Sequence, residues 1–146
     1  MKNYTRFDHC EEILTDVCIT CKEKKRKLPK VVFQNPARRQ VSRITVDGCA
    51  ITKGPRCDYM VVARGDTEIE EIYVELKGSD IDHAIRQLEA TIGKLSHGKA
   101  RLRKMCYIAS KCCPQPISIK PHKDRFRHNF NAKLVVKSNL IEHTFA

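Results

Sequence analysis

From Asp58 to Lys77 the chain reads as two apolar strands around a tight turn, with an acidic residue at each open end. An amphipathic helix follows directly. This stretch constrains the fold more than any other, because an antiparallel ribbon fixes which side chains face each other. The strands run from Asp58 to Arg64 and from Ile69 to Lys77, joined by Gly65-Asp66-Thr67-Glu68. With the loop centred between Asp66 and Thr67, Asp58 is set directly opposite Glu75. Opposed Cα atoms in such a pair lie about 4.5–5.5 Å apart. Side chains alternate along a strand, so Lys77 shares a face with Glu75, Met60, Val62 and Tyr73. Tyr59, Val61, Ile72 and Val74 take the other face.

Like charges directly opposed in a sheet are destabilising, and a pair that ends an apolar hairpin points to a bound cation. Hard oxygen ligands suit Mg²⁺, which typically takes one or two carboxylates and keeps waters for a phosphate. The same trio can also be a plain surface ion network. The helix behind the hairpin starts after Gly78, with Ser79 as N-cap and Asp82 closing a capping box. Ile81, Ile85, Leu88, Ile92 and Leu95 recur at helical spacing and should bury one face, and His97-Gly98 ends the helix.

Elsewhere the pattern is coarser. Tyr4, Phe7, Leu14, Val17, Cys18 and Cys21 recur at three- and four-residue steps, which predicts a first helix over residues 4–21. Lys22 to Lys27 is a basic run ended by Pro29, either a solvated helix end or a phosphate-contacting edge. Val41 to Val46 reads as a strand, Asp47-Gly48 as a turn, and Cys49 to Thr52 as its return strand. Met105 to Ser110 and Leu134 to Ser138 read as further strands. Cys113-Pro114-Gln115-Pro116 is an irregular link. Residues 122–130 form a basic segment, loop or short helix, with Phe126 and Phe130 either stacking on a base or folded onto the core. The expected architecture is one α/β domain over residues 1–146, a mixed sheet flanked by helices.

Charge bears on partners. The net charge is +11, and it is uneven. Residues 1–60 hold 13 Lys/Arg against 7 Asp/Glu, residues 61–98 hold 4 against 8, and residues 99–146 hold 11 against 2. Basic flanks suit a polyanion such as nucleic acid, and the acidic centre suits a cation. No apolar run reaches the roughly 20 residues of a membrane span. An acidic cluster stands near the N-terminus where a secretory signal would be apolar, so the chain is expected to be cytoplasmic, with its eight cysteines as free thiols. Cys18 and Cys21 have zinc-ligand spacing, but a helical face explains them as well. Asp47 offers a further carboxylate, although a residue before Gly in a turn already has a reason to be there.

Pro55-Arg56-Cys57-Asp58, then Val74-Glu75-Leu76-Lys77-Gly78 and the helix behind them, resemble the PD-(D/E)XK nuclease superfamily, which includes restriction endonucleases. The resemblance covers about residues 1–110. It implies a restriction-endonuclease-like fold and an endonuclease that hydrolyses phosphodiester bonds, with DNA favoured over RNA. It implies Mg²⁺, replaceable by Mn²⁺, held by Asp58, Glu75 and the backbone carbonyl of Leu76, with Lys77 catalytic. Glu11 or Glu12 would add a first-helix acid to the metal, and Gln87 would act from the second helix. Cys57 stands where the motif has Pro, and Thr91 where one branch has Tyr after the Gln. One such domain addresses one strand, so a homodimer or partner protein is expected for duplex cleavage. A different class remains open: a nucleic-acid-binding or assembly module of this fold without catalysis.

Overall fold

A computed structural model describes residues 3–65, 68–76, 80–111 and 116–146. Its larger sheet has six strands in the order β1-β4-β5-β6-β7-β8, and a smaller one has the order β2-β3-β9. The strands are β1 (Glu11–Leu14), β2 (Cys18–Lys22), β3 (Lys30–Gln34), β4 (Val41–Thr45), β5 (Tyr59–Arg64), β6 (Ile69–Leu76), β7 (Lys104–Ser110), β8 (Ala132–Ser138) and β9 (Leu140–Thr144). Helix α1 spans Ile81–Leu95 and α2 spans Pro116–Phe130. β1, β4, β5 and β6 pair antiparallel, and β6, β7 and β8 pair parallel. The sheet is therefore mixed, as expected.

The two parallel connections, β6-α1-β7 and β7-α2-β8, advance in the same direction across the sheet. Right-handed crossovers then place both helices on one face. Ile85, Leu88 and Ile92 of α1 and Ile119 and Phe126 of α2 bury there with Met60, Val62, Tyr73 and Cys106. The opposite face is covered by the smaller sheet, whose Ile19, Val31, Phe33 and Ile141 pack on Val61, Ile72, Val74 and Tyr107. Helices thus lie on one face only, where flanking helices were expected. Buried on both sides, β7 has all seven residues out of solvent.

Several expectations are corrected. Residues 4–21 form a short 3₁₀ turn (Asp8–Cys10) and two strands. Ile13, Thr15, Val17, Ile19 and Thr20 are β-branched and lose rotamer freedom in a helix, and β2 shows strand alternation of exposed and buried residues. Alternation also turns Cys18 out to solvent and Cys21 into the core. Burial pushes the Cys21 thiol up to about 12. The two cannot share a zinc ion, which needs converging thiolates.

Residues 49–52 are no return strand but a turn closed by a single Asp47–Ile51 bridge, with Gly48 at φ +76°. The N-cap of α1 is Asp80, whose carboxylate accepts from the His83 amide at 3.1 Å. Ser79 lies outside the described residues. Ser96 is the C-cap. Phe126 is fully buried and meets Phe130 edge-on, so neither is a free platform for a base. Cys10 and Cys49 form a disulfide, so these two are not free thiols. His9 lies beside them, but sulfurs bonded to each other are not thiolate ligands. Among the described residues no helix is long and apolar enough to cross a membrane.

Candidate functional site

The β5–β6 ribbon keeps the expected register, with Arg64 opposite Ile69 and Tyr59 opposite Val74. The ladder ends there, one residue before the acidic pair. The Asp58 amide donates to the Val74 carbonyl at 3.1 Å, and the Asp58 carbonyl accepts from the Val46 amide at 3.0 Å. Three strands thus converge on Asp58. Its Oδ2 accepts from the Leu76 amide at 2.8 Å. Glu75 is 5% exposed and hydrogen-bonds to the Asp58 carboxyl.

Helix α1 supplies the third member. Gln87 Nε2 donates to Glu75 Oε2 at 2.7 Å, and Gln87 Oε1 accepts from the Arg56 amide at 3.2 Å. One turn further along, Thr91 Oγ1 accepts from the Cys57 amide at 2.8 Å. These two bonds lay residues 56 and 57 along α1 and deliver Asp58 to the mouth of the hairpin. Gln87 cannot turn its amide without breaking one of its two contacts, so it fixes the Glu75 rotamer.

Two carboxyl groups in hydrogen-bond contact, away from water, cannot both ionise cheaply. Burial first, then Asp58, raises Glu75 to about 9. Asp58 is also raised, by burial first, although its bonds to Glu75 and the Leu76 amide oppose the rise. Both shifts favour a protonated carboxyl, and the larger is at Glu75. Asp47 adds to the negative field on both groups, and Glu23 adds to it at Asp58. Asp47 itself is clamped to Arg56 Nε at 2.7 Å. Among the described residues, neither Asp58 nor Glu75 has a Lys or Arg ion-pair partner.

Other sequence-selected residues lie elsewhere or outside view. Lys77 is outside the described residues. The Leu76 peptide reaches Asp58 through its N–H. Glu11 is on the edge strand β1, paired with Ile44. Its carboxylate accepts from the Tyr4 and Thr5 amides (2.7 and 2.9 Å) and from the Ser42 hydroxyl (2.6 Å). Burial acts to raise its pKa, but these bonds outweigh it and hold it low. Glu11 is thus committed to anchoring the N-terminal segment. Glu12 points to the opposite face and pairs with Arg43 at 2.9 Å. Neither joins Asp58 and Glu75. Asp47 does approach them, and its place was readable from β4: the residue following Val46 must lie beside Asp58 once β4 pairs with β5.

The donor set fits a hard divalent cation: two buried carboxyl groups in contact, whose raised pKa values reflect negative charge that a cation would balance. A consequence follows for stability. Below about pH 4.5 Glu75 is protonated whether the chain is folded or unfolded. Between there and about 9 the folded protein keeps a proton that the unfolded chain has lost, so stability falls as pH rises. A cation that displaces this proton should raise the melting temperature, and the gain should grow from pH 5 to pH 9. Thermal melts with Mg²⁺ or EDTA at several pH values read this directly. A gain that is flat with pH, or absent, removes the cation site.

No family model matches the chain, and it matches no curated protein and no solved structure.

Proposed function

We propose that this chain is a divalent-metal-dependent nuclease of restriction-endonuclease-like fold that hydrolyses phosphodiester bonds, in DNA rather than RNA. The observation that carries the reading is the buried Asp58–Glu75 pair held by Gln87 at the open end of the β5–β6 ribbon. The mixed sheet, with α1 directly after β6, is consistent with the PD-(D/E)XK resemblance, and that resemblance supplies the choice of DNA. Asp58, Glu75 and the Leu76 carbonyl are the assigned ligands of Mg²⁺, or of Mn²⁺ in its place. When bound, the ion polarises the scissile phosphate and lowers the pKa of water.

The chain's own groups do the rest. Gln87 keeps one Glu75 oxygen aimed, and the Leu76 amide keeps Asp58 in place. Lys77, two residues beyond Glu75, is assigned to orient the attacking water and offset charge gathering on the phosphate. The β2–β3 hairpin adds Lys22, Lys24, Lys25, Arg26, Lys27 and Lys30. It abuts the site through the Tyr59 hydroxyl, which donates to the Lys22 carbonyl at 3.0 Å, and through the field of Glu23 on Asp58. These cations would hold the phosphate backbone beside the bond cut. One site cuts one strand, so duplex cleavage calls for two copies.

The test is incubation with plasmid, single-stranded DNA and RNA, in Mg²⁺ or EDTA. Cleavage of DNA in Mg²⁺, and none in EDTA, is the expected result. Binding without cleavage in every metal tried would make the protein a nucleic-acid-binding module, and cleavage that persists in EDTA would remove the metal.

A further inference from the structure

An open cavity of about 650 Å³ lies between the Tyr4–Phe7 segment, the turn at 50–53 and the C-terminal end of α1. Nothing in the proposed chemistry uses it. Among the described residues three cationic side chains line it, Arg6, Lys53 and Lys94, and no Asp or Glu does. A helix C-terminus attracts cations on its own account, which accounts for Lys94. It does not account for Arg6 and Lys53, which come from two other segments. Two acids touch this lining without being part of it: Glu11, whose carboxylate is taken up by the Tyr4 and Thr5 amides, and Glu71. The Glu71 oxygens are taken up by the Tyr4, Tyr73 and Ser96 hydroxyls and the His97 amide. The cavity therefore presents positive charge.

It also presents rings. Tyr4 and His97 stack at 3.7 Å between centroids, and the Arg6 guanidinium lies over the Phe7 ring at 5.0 Å. Its walls are tied down. Glu11 holds Tyr4 and Thr5, and the Cys10–Cys49 disulfide joins the segment after Phe7 to the residue before the 50–53 turn. Cations beside aromatic faces in a preformed cleft suit a nucleotide, with the phosphate on the cations and the base on a ring.

Its position relates it to the acidic pair. Residues 53–58 run along α1, from the Lys53 carbonyl, which accepts from Lys94 Nζ at 3.3 Å, to the Arg56 amide on Gln87. Lys94 and Gln87 are seven residues apart, roughly 10 Å along the helix axis. That is within the reach of a few nucleotides of one strand.

We infer that this cavity is a nucleotide subsite, which holds one phosphate and base of the substrate strand a few nucleotides from the bond cut. The inference rests on the nuclease reading for the strand's identity, but its test needs no cleavage. The test is binding of a short fluorescent oligothymidylate in EDTA, across a salt series. Lys53→Gln with Lys94→Gln should weaken binding about tenfold at low salt and lower the slope of log affinity against log salt by about 1. Lys133→Gln with Lys137→Gln removes the same charge from exposed positions on β8 and should change neither quantity by more than about twofold. Phe7→Leu keeps an apolar side chain against the core and should cost about fivefold or more, with Phe7→Tyr restoring it. Equal losses from the two lysine pairs, or wild-type binding by Phe7→Leu, would overturn the subsite. So would an oligothymidylate that does not bind, even if the protein cuts DNA. Binding that follows this pattern in a protein that cuts nothing would keep the subsite and sink the nuclease.

Discussion

Glu75→Gln is expected to lower cleavage on the order of a thousandfold while leaving the folded protein as stable as the wild type at pH 7, or more so. The two halves of this result have one cause. Glu75 is buried against Asp58 and raised to about 9, so at neutral pH the folded protein already keeps it as a neutral acid. Glutamine has the same shape, is neutral at every pH, and its amide can donate to Asp58 as the protonated carboxyl does. It can also meet Gln87, whose Nε2 is 2.7 Å from Glu75 Oε2. What it cannot do is ionise to meet a dication. The loss belongs to the range seen when one charge-stabilising group is removed from a preorganised site. The decline of stability between pH 5 and 9 should flatten in the same variant. Lys77→Ala should cost a similar factor in rate, and should leave the Mg²⁺-induced rise in melting temperature intact. Gln87→Ala removes the contact that aims Glu75 and the one that lays Arg56 along α1 ahead of Asp58, and should cost about 10- to 100-fold, as is usual for a group that orients a ligand. The readings are single-turnover cleavage and thermal melts on the same preparations. Full cleavage by Glu75→Gln would end the metal assignment, and a large loss of stability would make the pair structural.

How this site could be foreseen, and much of the fold could not, has a physical basis. Asp58 and Glu75 are brought together by a local hairpin, and hairpin register follows from turn position and alternation. The faces of Met60 and Val61, and of Tyr73 and Val74, follow from the same rule, and α1 shows its buried face at helical spacing. The smaller sheet left no such trace. β3 pairs with β9 across more than a hundred residues, and nothing local in Lys30–Gln34 or Leu140–Thr144 announces a partner so distant. Helix α2 was hidden by Pro121 in its interior, where a missing N–H normally ends a helix. The N-terminal periodicity misled because a strand that enters the core, leaves it and enters again spaces its apolar residues at uneven steps. Glu11 was drawn toward the metal by that misread helix. On an edge strand it instead ties down the chain ahead of it.

The disulfide gives the largest expected effect on stability. Replacing Cys10 and Cys49 together by Ser should lower the unfolding free energy by about 2–4 kcal/mol. The cross-link closes a loop between residues 39 apart, and the chain-entropy relation puts the upper end near 4 kcal/mol. No sequence argument singles out this pair, since eight cysteines allow 105 complete pairings. The structure adds a reason for the cost to appear as local opening. Cys10 ends the 3₁₀ turn that follows the Tyr4–Phe7 segment, and Cys49 sits in the turn after β4. Without the link, the N-terminal segment is held by Glu11, by the Tyr4 hydroxyl on Glu71 and by the stack of Tyr4 on His97. Those contacts can open without breaking the six-stranded sheet. Denaturant unfolding should therefore show a lower midpoint in the double variant, and in the wild type under reductant. Limited proteolysis should cut first between residues 3 and 10. Asp58, Glu75 and Gln87 are fixed by β5, β6, α1 and the Val46 amide just after β4, none of which contains either cysteine. The Mg²⁺-dependent rise in melting temperature should accordingly survive in the variant. Equal midpoints for oxidised and reduced protein would show that the two sulfurs are not joined. Loss of the Mg²⁺ response together with the disulfide would show that the acidic pair depends on the N-terminal segment, contrary to the contacts that hold it here.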